Sequence, residues 1–124
     1  SEDFKLATGT WVHVGSLRAA FIEHFAPLVR DVVIAGDRRN EPAALVFLAA
    51  AAPRDELVRR LRSFAAQATG SSNRIARVLV LEEPPSLDAG EMTDKGTINQ
   101  GAVLACRAAL VEELYAGSPR VLAA

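Results

Sequence analysis

Three short apolar runs limit what this chain can fold into more than any other feature of its sequence. They lie at Val32–Ala35, Leu45–Leu48 and Arg77–Leu81, and β-branched residues are frequent in them. Successive side chains of a strand point to opposite faces, so consecutive apolar residues indicate strands covered on at least one face and partly on the other. We therefore expect a small sheet of about three strands.

Two segments with an apolar stripe at helical spacing can supply that cover. Leu17–Leu28 and Leu57–Ala68 place their large apolar residues three or four positions apart, which is the period of an α-helix. A last helix that ends at Gly117 is indicated by a third stripe, made of Val103, Leu110, Val111 and Leu114. The predicted fold class is α+β, with helices packed against the sheet.

A β-hairpin is predicted at the beginning of the chain. Phe4–Ala7 and Trp11–Val14 are rich in β-formers, and the Thr8-Gly9-Thr10 loop between them is typical of a tight hairpin. Ser16 follows as the expected N-cap of the first helix. The long polar stretch from Ser86 to Gln100 has no apolar periodicity and is expected to be a loop.

The composition excludes several classes of protein. The 124 residues, 50% of them hydrophobic and 23% charged, suit a single soluble domain. A formal net charge of −1 provides no basic field for nucleic acid. The apolar run Ala43–Ala52 is only half the length of a membrane span. A single cysteine, Cys106, and no visible secretory signal fit a reducing compartment, so we expect a cytoplasmic protein without nucleic-acid or membrane partners.

Two segments resemble those of a known enzyme family. Asp3-Phe4-Lys5-Leu6-Ala7-Thr8-Gly9-Thr10-Trp11-Val12 is similar to the strand-turn-strand after the interdomain hinge of adenylate-forming enzymes. Gly90-Glu91-Met92-Thr93-Asp94-Lys95-Gly96-Thr97-Ile98-Asn99-Gln100 is similar to the loop that carries their adenylation lysine. Both are most similar to feruloyl-CoA synthetase, where a "DFKLxTGTWV" hairpin and a "GEITDKGYINQ" loop occur together. Ser72–Leu79 and Glu83–Gly90 also fit, so the resemblance covers essentially the whole chain.

The resemblance implies that residues 1–124 are the C-terminal lid domain of an acyl-CoA synthetase. In this superfamily a large N-terminal domain binds ATP, with Mg²⁺, and the acid. The lid closes over it in one orientation to form the acyl-adenylate and in another to form the thioester with CoA. The feruloyl-type motifs further imply an aromatic acid of the hydroxycinnamate type. The phosphate-binding loop of the N-terminal domain is absent from these residues, so this domain alone is expected to be inactive.

Two alternatives to that function stay open at this point. One is a synthetase for another aromatic acid or for a fatty acid, since the acid pocket would lie in the N-terminal domain. The other is a free-standing, non-catalytic α+β domain that binds a partner or dimerises through its sheet.

Lys95 is the predicted catalytic residue. Negative charge builds at the α-phosphate and the acyl carboxylate as pyrophosphate leaves, and an ammonium group on a long stem can stabilise it in a site that excludes water. In the commoner pattern of the superfamily the lysine follows a Gly and precedes an apolar residue. Here Thr97 stands in that slot and Lys95 comes two residues earlier. Thr97 is thus one alternative, and an exposed lysine without a function is the other.

The hairpin supplies the predicted contact with the pantetheine arm of CoA. Gly9 has no Cβ and lets the backbone approach a ligand closely, although a glycine at a hairpin turn also needs no ligand to explain it. Thr8, Thr10 and Trp11 flank Gly9 and are the other predicted contacts. Trp11 either walls the pantetheine channel or packs on the core of its own domain.

The remaining polar residues give weaker indications. His13 and His24 have no acidic or Cys neighbours at metal-ligand spacing, so no metal site is predicted. Cys106 lies among Ala and Leu residues and is expected to be a buried thiol. Five arginines either bind the phosphates of CoA or are simply solvated: Arg59, Arg60, Arg62, Arg74 and Arg77.

Overall fold

The computed structural model describes residues 2–124, which form two sheets and four helices. The strands are β1 (Phe4–Lys5), β2 (Trp11–Val12), β3 (Val29–Ala35), β4 (Ala43–Leu48), β5 (Arg77–Val80) and β6 (Leu122–Ala123). The helices are α1 (Val14–Phe25), α2 (Arg54–Ala66), α3 (Gln100–Cys106) and α4 (Ala108–Ala116). β1 and β2 form an antiparallel hairpin, and the second sheet has the order β3-β4-β5-β6 with β4 and β5 parallel. The predicted α+β fold is confirmed.

Helices cover both faces of the four-stranded sheet. The residues that face α1 and α2 are Val32, Ile34, Ala44, Val46, Val78 and Leu122. The residues that face α3 and α4 are Val33, Ala35, Ala43, Leu45, Phe47 and Leu79. Neighbours along a strand thus point into different layers, which explains the consecutive apolar residues of the runs. The prediction that the first two helices pack against one sheet is confirmed.

Three details differ from the sequence predictions. The sheet has a fourth strand, β6, which is too short to leave an apolar period. The last helix is divided at Arg107, whose φ of −114° and ψ of 33° separate α3 from α4. Ser16 is not a cap, because α1 already begins at Val14. The N–H of Val14 donates to Oδ1 of Asp3 at 2.9 Å, so a side chain from before the hairpin caps this helix.

Side chains close the outer edge of β3. The N–H of Ile34 donates to Oε1 of the buried Gln100 at 2.8 Å, and the N–H of Val32 donates to Oδ1 of Asp31 at 2.8 Å. Nε of Arg18 donates to the carbonyl of Val32 at 2.9 Å. An open strand edge can pair with another chain. These three side chains occupy the N–H groups of Val32 and Ile34 and the carbonyl of Val32. No helix within residues 2–124 has the length and apolar character needed to cross a membrane.

The hairpin is attached to the turn between β3 and β4. The N–H of Ala7 donates to the carbonyl of Arg39 at 2.8 Å, and the N–H of Arg38 donates to the carbonyl of Lys5 at 3.0 Å. Gly36 begins this turn with a φ of 141°, where the ring of Phe4 lies against it. The position of the hairpin therefore depends on how closely the backbone can pack at Gly36.

Gly36→Ala should lower the free energy of unfolding of this chain by about 1–3 kcal/mol. A Cβ there would lie 3.0 Å from Cα of Pro42 and 3.2 Å from Cε1 of Phe4, in a backbone conformation that disfavours side chains. Gly70→Ala is the control, since no atom lies within 4 Å of its added Cβ. Urea unfolding measures both, and equal stability of the two variants would contradict the close packing at Gly36.

Candidate functional site

Lys95 lies at the tip of a small hairpin, which we call the lysine turn (residues 91–99). Met92 and Ile98 form an antiparallel bridge, and the N–H of Thr93 donates to the carbonyl of Thr97 at 2.9 Å. The N–H of Gly96 donates to the carbonyl of Thr93 at 2.9 Å and closes the tip, with Gly96 at a φ of 85°. The stretch predicted as a loop is therefore partly ordered by local backbone hydrogen bonds, which leave no apolar period in the sequence.

Glu91 and Ile98, near the two ends of the lysine turn, are buried while its tip is exposed. Lys95 and Thr97 are both exposed. Ile98 packs into the layer between the sheet and α3 and α4. Asn99 donates its N–H to the carbonyl of Glu91 at 2.8 Å, and its Oδ1 accepts the N–H of Ala102 at 3.0 Å as the N-cap of α3. The last residues of the quoted motif thus have structural roles.

A buried ion pair lies at the base of the lysine turn. The side chain of Glu91 is 2% exposed and that of Arg107 is 11% exposed. Nε and Nη2 of Arg107 each donate to one carboxylate oxygen of Glu91 at 2.9 Å, and the N–H of Ser86 donates to Oε1 of Glu91 at 2.9 Å. The two hydrogen bonds from Arg107 lower the pKa of Glu91, and they outweigh burial, which acts in the opposite direction.

Arg107 uses its remaining donors on the segment before the lysine turn. Nη1 donates to the carbonyl of Glu83 and Nη2 to the carbonyl of Pro84, both at 2.9 Å. The guanidinium also lies 5.1 Å from the centre of the Phe47 ring. Sequence reasoning assigned no role to Glu91 or Arg107, because an acid and an arginine sixteen residues apart carry no pairing pattern.

The tip of the β1–β2 hairpin is open to solvent. Thr8, Gly9 and Thr10 are exposed, and no atom lies within 4 Å of a Cβ built on Gly9. The φ of Gly9 is 86°, so the turn itself requires a glycine. Trp11 is 51% exposed, and Nζ of Lys5 lies 5.1 Å from its ring centre. Of the two alternatives for Trp11, packing on the domain core is wrong, because β2 turns Val12 inward and Trp11 outward.

The structure does not bring the two predicted groups of site residues together. Leu6 and Val12 of the hairpin pack in the layer that contains α1 and α2. Ile98 of the lysine turn packs in the layer that contains α3 and α4. The hairpin and the lysine turn are therefore anchored in different layers of the domain.

Three of the five candidate arginines have partners within the domain. Arg59 and Arg60 pair with Glu56, and Arg77 donates to the carbonyl of Tyr115 at 2.7 Å. Arg62 and Arg74 are exposed. These two remain the better candidates for a phosphate.

The other polar candidates are placed as follows. His24 packs against Phe25 and Phe64. The prediction that the Cys106 thiol is buried is wrong. Cys106 is the last residue of α3 and is exposed. Within residues 2–124, no three His, Cys, Asp or Glu side chains are grouped so that they could hold a metal ion.

The comparison with known families decides what kind of domain this is. A family model described as "AMP-binding enzyme C-terminal domain" matches residues 4–119. The chain belongs to this family. No curated protein matches the chain.

Solved structures of adenylating enzymes share the fold. The A domain of carboxylic acid reductase from Segniliparus rugosus, in complex with AMP and a co-purified carboxylic acid, is 24% identical with a TM-score of 0.72, and the match covers 92% of this chain and 20% of that one. An anthranilate CoA ligase in complex with anthranoyl-AMP is 23% identical with a TM-score of 0.63, and covers 91% and 20%. The chain thus spans about a fifth of the length of these structures.

The Glu91–Arg107 pair should make the stability of this family member depend on pH. Glu91→Gln should lower the free energy of unfolding by about 3 kcal/mol at pH 7, because it leaves Arg107 buried with an incomplete partner. The folded-state pKa of Glu91 lies below its ordinary 4.5, so its contribution is complete above that value and is lost as the pH falls through the lowered pKa.

The difference between wild type and Glu91→Gln should therefore shrink when urea unfolding is repeated below pH 4. Glu23→Gln, on the exposed side of α1, is the control and should leave stability unchanged at both pH values. A Glu91→Gln difference that stays constant across this range would show that the carboxylate charge is not what stabilises the fold.

Proposed function

We propose that this domain is the lid of an ATP-dependent acid–CoA ligase. A separate N-terminal adenylation domain of the same protein binds the acid, ATP and Mg²⁺ and forms the acyl-adenylate under this lid. CoA then takes the acyl group as a thioester. The family match supports this function over a free-standing binding domain, because the model describes the C-terminal domain of AMP-binding enzymes. A cytoplasmic location is part of the proposal.

The exposed Lys95 at the tip of an ordered turn is the observation that carries the catalytic assignment. The base of the lysine turn is buried and its tip is exposed to solvent. The ammonium group of Lys95 is therefore free to enter the site of a partner domain. Within residues 2–124, Lys95 forms no salt bridge that would have to break first. A cation delivered to the α-phosphate lowers the barrier as pyrophosphate departs. Thr97, also exposed, has no charge to contribute.

The hairpin is the proposed guide for pantetheine. Gly9 leaves its backbone uncovered, with Thr8 and Thr10 hydroxyls 3.0 Å apart beside it and the indole of Trp11 exposed on the strand that follows. A flat apolar ring beside open backbone and hydroxyl groups suits an arm that alternates amide and methylene groups. Since the hairpin and the lysine turn are anchored in different layers of the domain, we propose that the domain turns between the two steps.

We propose an aromatic acid of the hydroxycinnamate type as the substrate. The feruloyl-type spacing of both motifs supports it, and the anthranilate CoA ligase among the similar structures also acts on an aromatic acid. The acid-binding residues would belong to the adenylation domain, so this step rests on likeness. The similarity to an A-PCP didomain of carboxylic acid reductase favours a second candidate, in which a carrier domain accepts the acyl group instead of free CoA.

Lys95→Ala in the full-length protein should slow adenylation by roughly 100- to 1000-fold, because one charged contact at a transition state contributes about 3–4 kcal/mol. Transfer of a supplied acyl-adenylate to CoA should change little. Pyrophosphate release with acid and ATP measures the first step, and thioester formation measures the second. Thr97→Ala is the control for the displaced lysine. If it slows adenylation and Lys95→Ala does not, Lys95 is the wrong residue.

Gly9→Leu should have the reverse effect. A side chain at the hairpin tip would obstruct the pantetheine arm, while no atom of this domain lies within 4 Å of the position of its Cβ. We expect thioester formation to fall at least tenfold and pyrophosphate release to stay within about twofold. Gly9→Ala is the matched control, because it brings the same backbone strain at a φ of 86° with a side chain too small to obstruct the arm. Equal slowing of both steps by Gly9→Leu would contradict a domain that turns between them.

A further inference from the structure

We propose that Glu91 and Arg107 are positioning residues for Lys95. They fix the base of the lysine turn, and thereby the point from which the Lys95 side chain reaches into the partner domain. This inference rests on the proposed function, because it concerns the same adenylation step. In this proposal the rate of adenylation depends on a buried ion pair that itself touches no substrate.

The connection from the pair to Lys95 is short and hydrogen-bonded on both sides. The carbonyl of Glu91 accepts the N–H of Asn99 at 2.8 Å. The next residue, Met92, forms a β-bridge with Ile98. The N–H of Thr93 donates to the carbonyl of Thr97, so only Asp94 separates these paired residues from Lys95. A displacement of Glu91 would therefore move the tip, since the turn has few freely rotating bonds in which to absorb it.

Arg107 connects this base to the rest of the domain. Its guanidinium holds both oxygens of Glu91 and the carbonyls of Glu83 and Pro84, and it lies over the ring of Phe47 on β4. Arg107 itself lies where α3 ends and α4 begins. One side chain thus links the lysine turn to two helices and the sheet.

The chemistry of the pair suits positioning better than it suits stability alone. Apolar residues of similar volume often stabilise a fold as well as a buried ion pair does. A two-pronged arginine–carboxylate contact, however, fixes both distance and orientation. Reacting groups need such precision, because small displacements reduce rates strongly. The Arg120–Glu113 pair has the same forked geometry at 2.7 and 2.8 Å, but it lies on and beyond α4 and does not contact the lysine turn.

A double-mutant cycle in the full-length protein tests the inference. Glu91→Gln should slow pyrophosphate release at least tenfold and leave thioester formation from supplied acyl-adenylate within about twofold. In the Lys95→Ala background the same substitution should cause no further loss, because the group that it positions is already absent. Glu113→Gln is the matched control and should leave both steps unchanged. A general loss of folding would slow both steps in either background.

The inference is overturned if Glu91→Gln leaves pyrophosphate release unchanged, slows both steps equally, or adds its full loss to that of Lys95→Ala. Failure of the proposed function has a different signature, in which Lys95→Ala itself leaves adenylation intact. If Glu91→Gln does not fold, Arg107→Lys replaces it in the cycle. This variant keeps the positive charge but loses the fork, and an unchanged rate would equally overturn the inference. Urea unfolding of each variant establishes which case applies.

Discussion

The whole arrangement depends on a four-stranded sheet that is apolar on both faces. Such a sheet needs two layers of cover, and the order of the elements along the chain decides which segment goes where. The hairpin, α1 and α2 fill one layer, and the segments after β5 that form the lysine turn, α3 and α4 fill the other. Because Gly9 precedes α1 and Lys95 precedes α3, the segments that carry the two predicted site groups are anchored in different layers.

Within the second layer, buried polar groups decide the shape of a segment that has few apolar residues of its own. Gln100 accepts the N–H of Ile34 at the outer edge of β3, Asn99 caps α3, and Glu91 is held by Arg107. Each of these contacts is directional, so together they define one path for the chain where apolar packing would permit several. The residues of the 90–100 motif therefore differ in burial: positions 91, 98 and 100 are buried, and positions 95 and 97 are exposed. The buried residues hold the turn on the domain, and the tip that carries Lys95 stays exposed to solvent.

The sequence predicted those strands and helices whose apolar residues recur at the spacing of one buried face. The apolar runs became β3, β4 and β5, and the stripes became α1 and α2, because core contact repeats with the period of each element. β6 was missed, since two residues hold no period, and the division at Arg107 was missed because the apolar stripe continues across it. The Glu91–Arg107 pair could not be predicted, because it exists only once the turn and α3 share a layer. Trp11 was left with two alternatives, and its exposure excluded one.

A short turn on a fixed base has a consequence for how the proposed lid would work. A long mobile loop would have to lose conformational entropy each time Lys95 entered the partner site, at roughly 1–2 kcal/mol for each residue that becomes ordered. The backbone hydrogen bonds of residues 91–99 and the ion pair beneath them meet most of that cost when the domain folds. What is left to order on closure is the Lys95 side chain and the orientation of the domain as a body. Domain rotation can then switch the lysine between steps without refolding a segment, which is what a reusable lid in a two-step reaction requires.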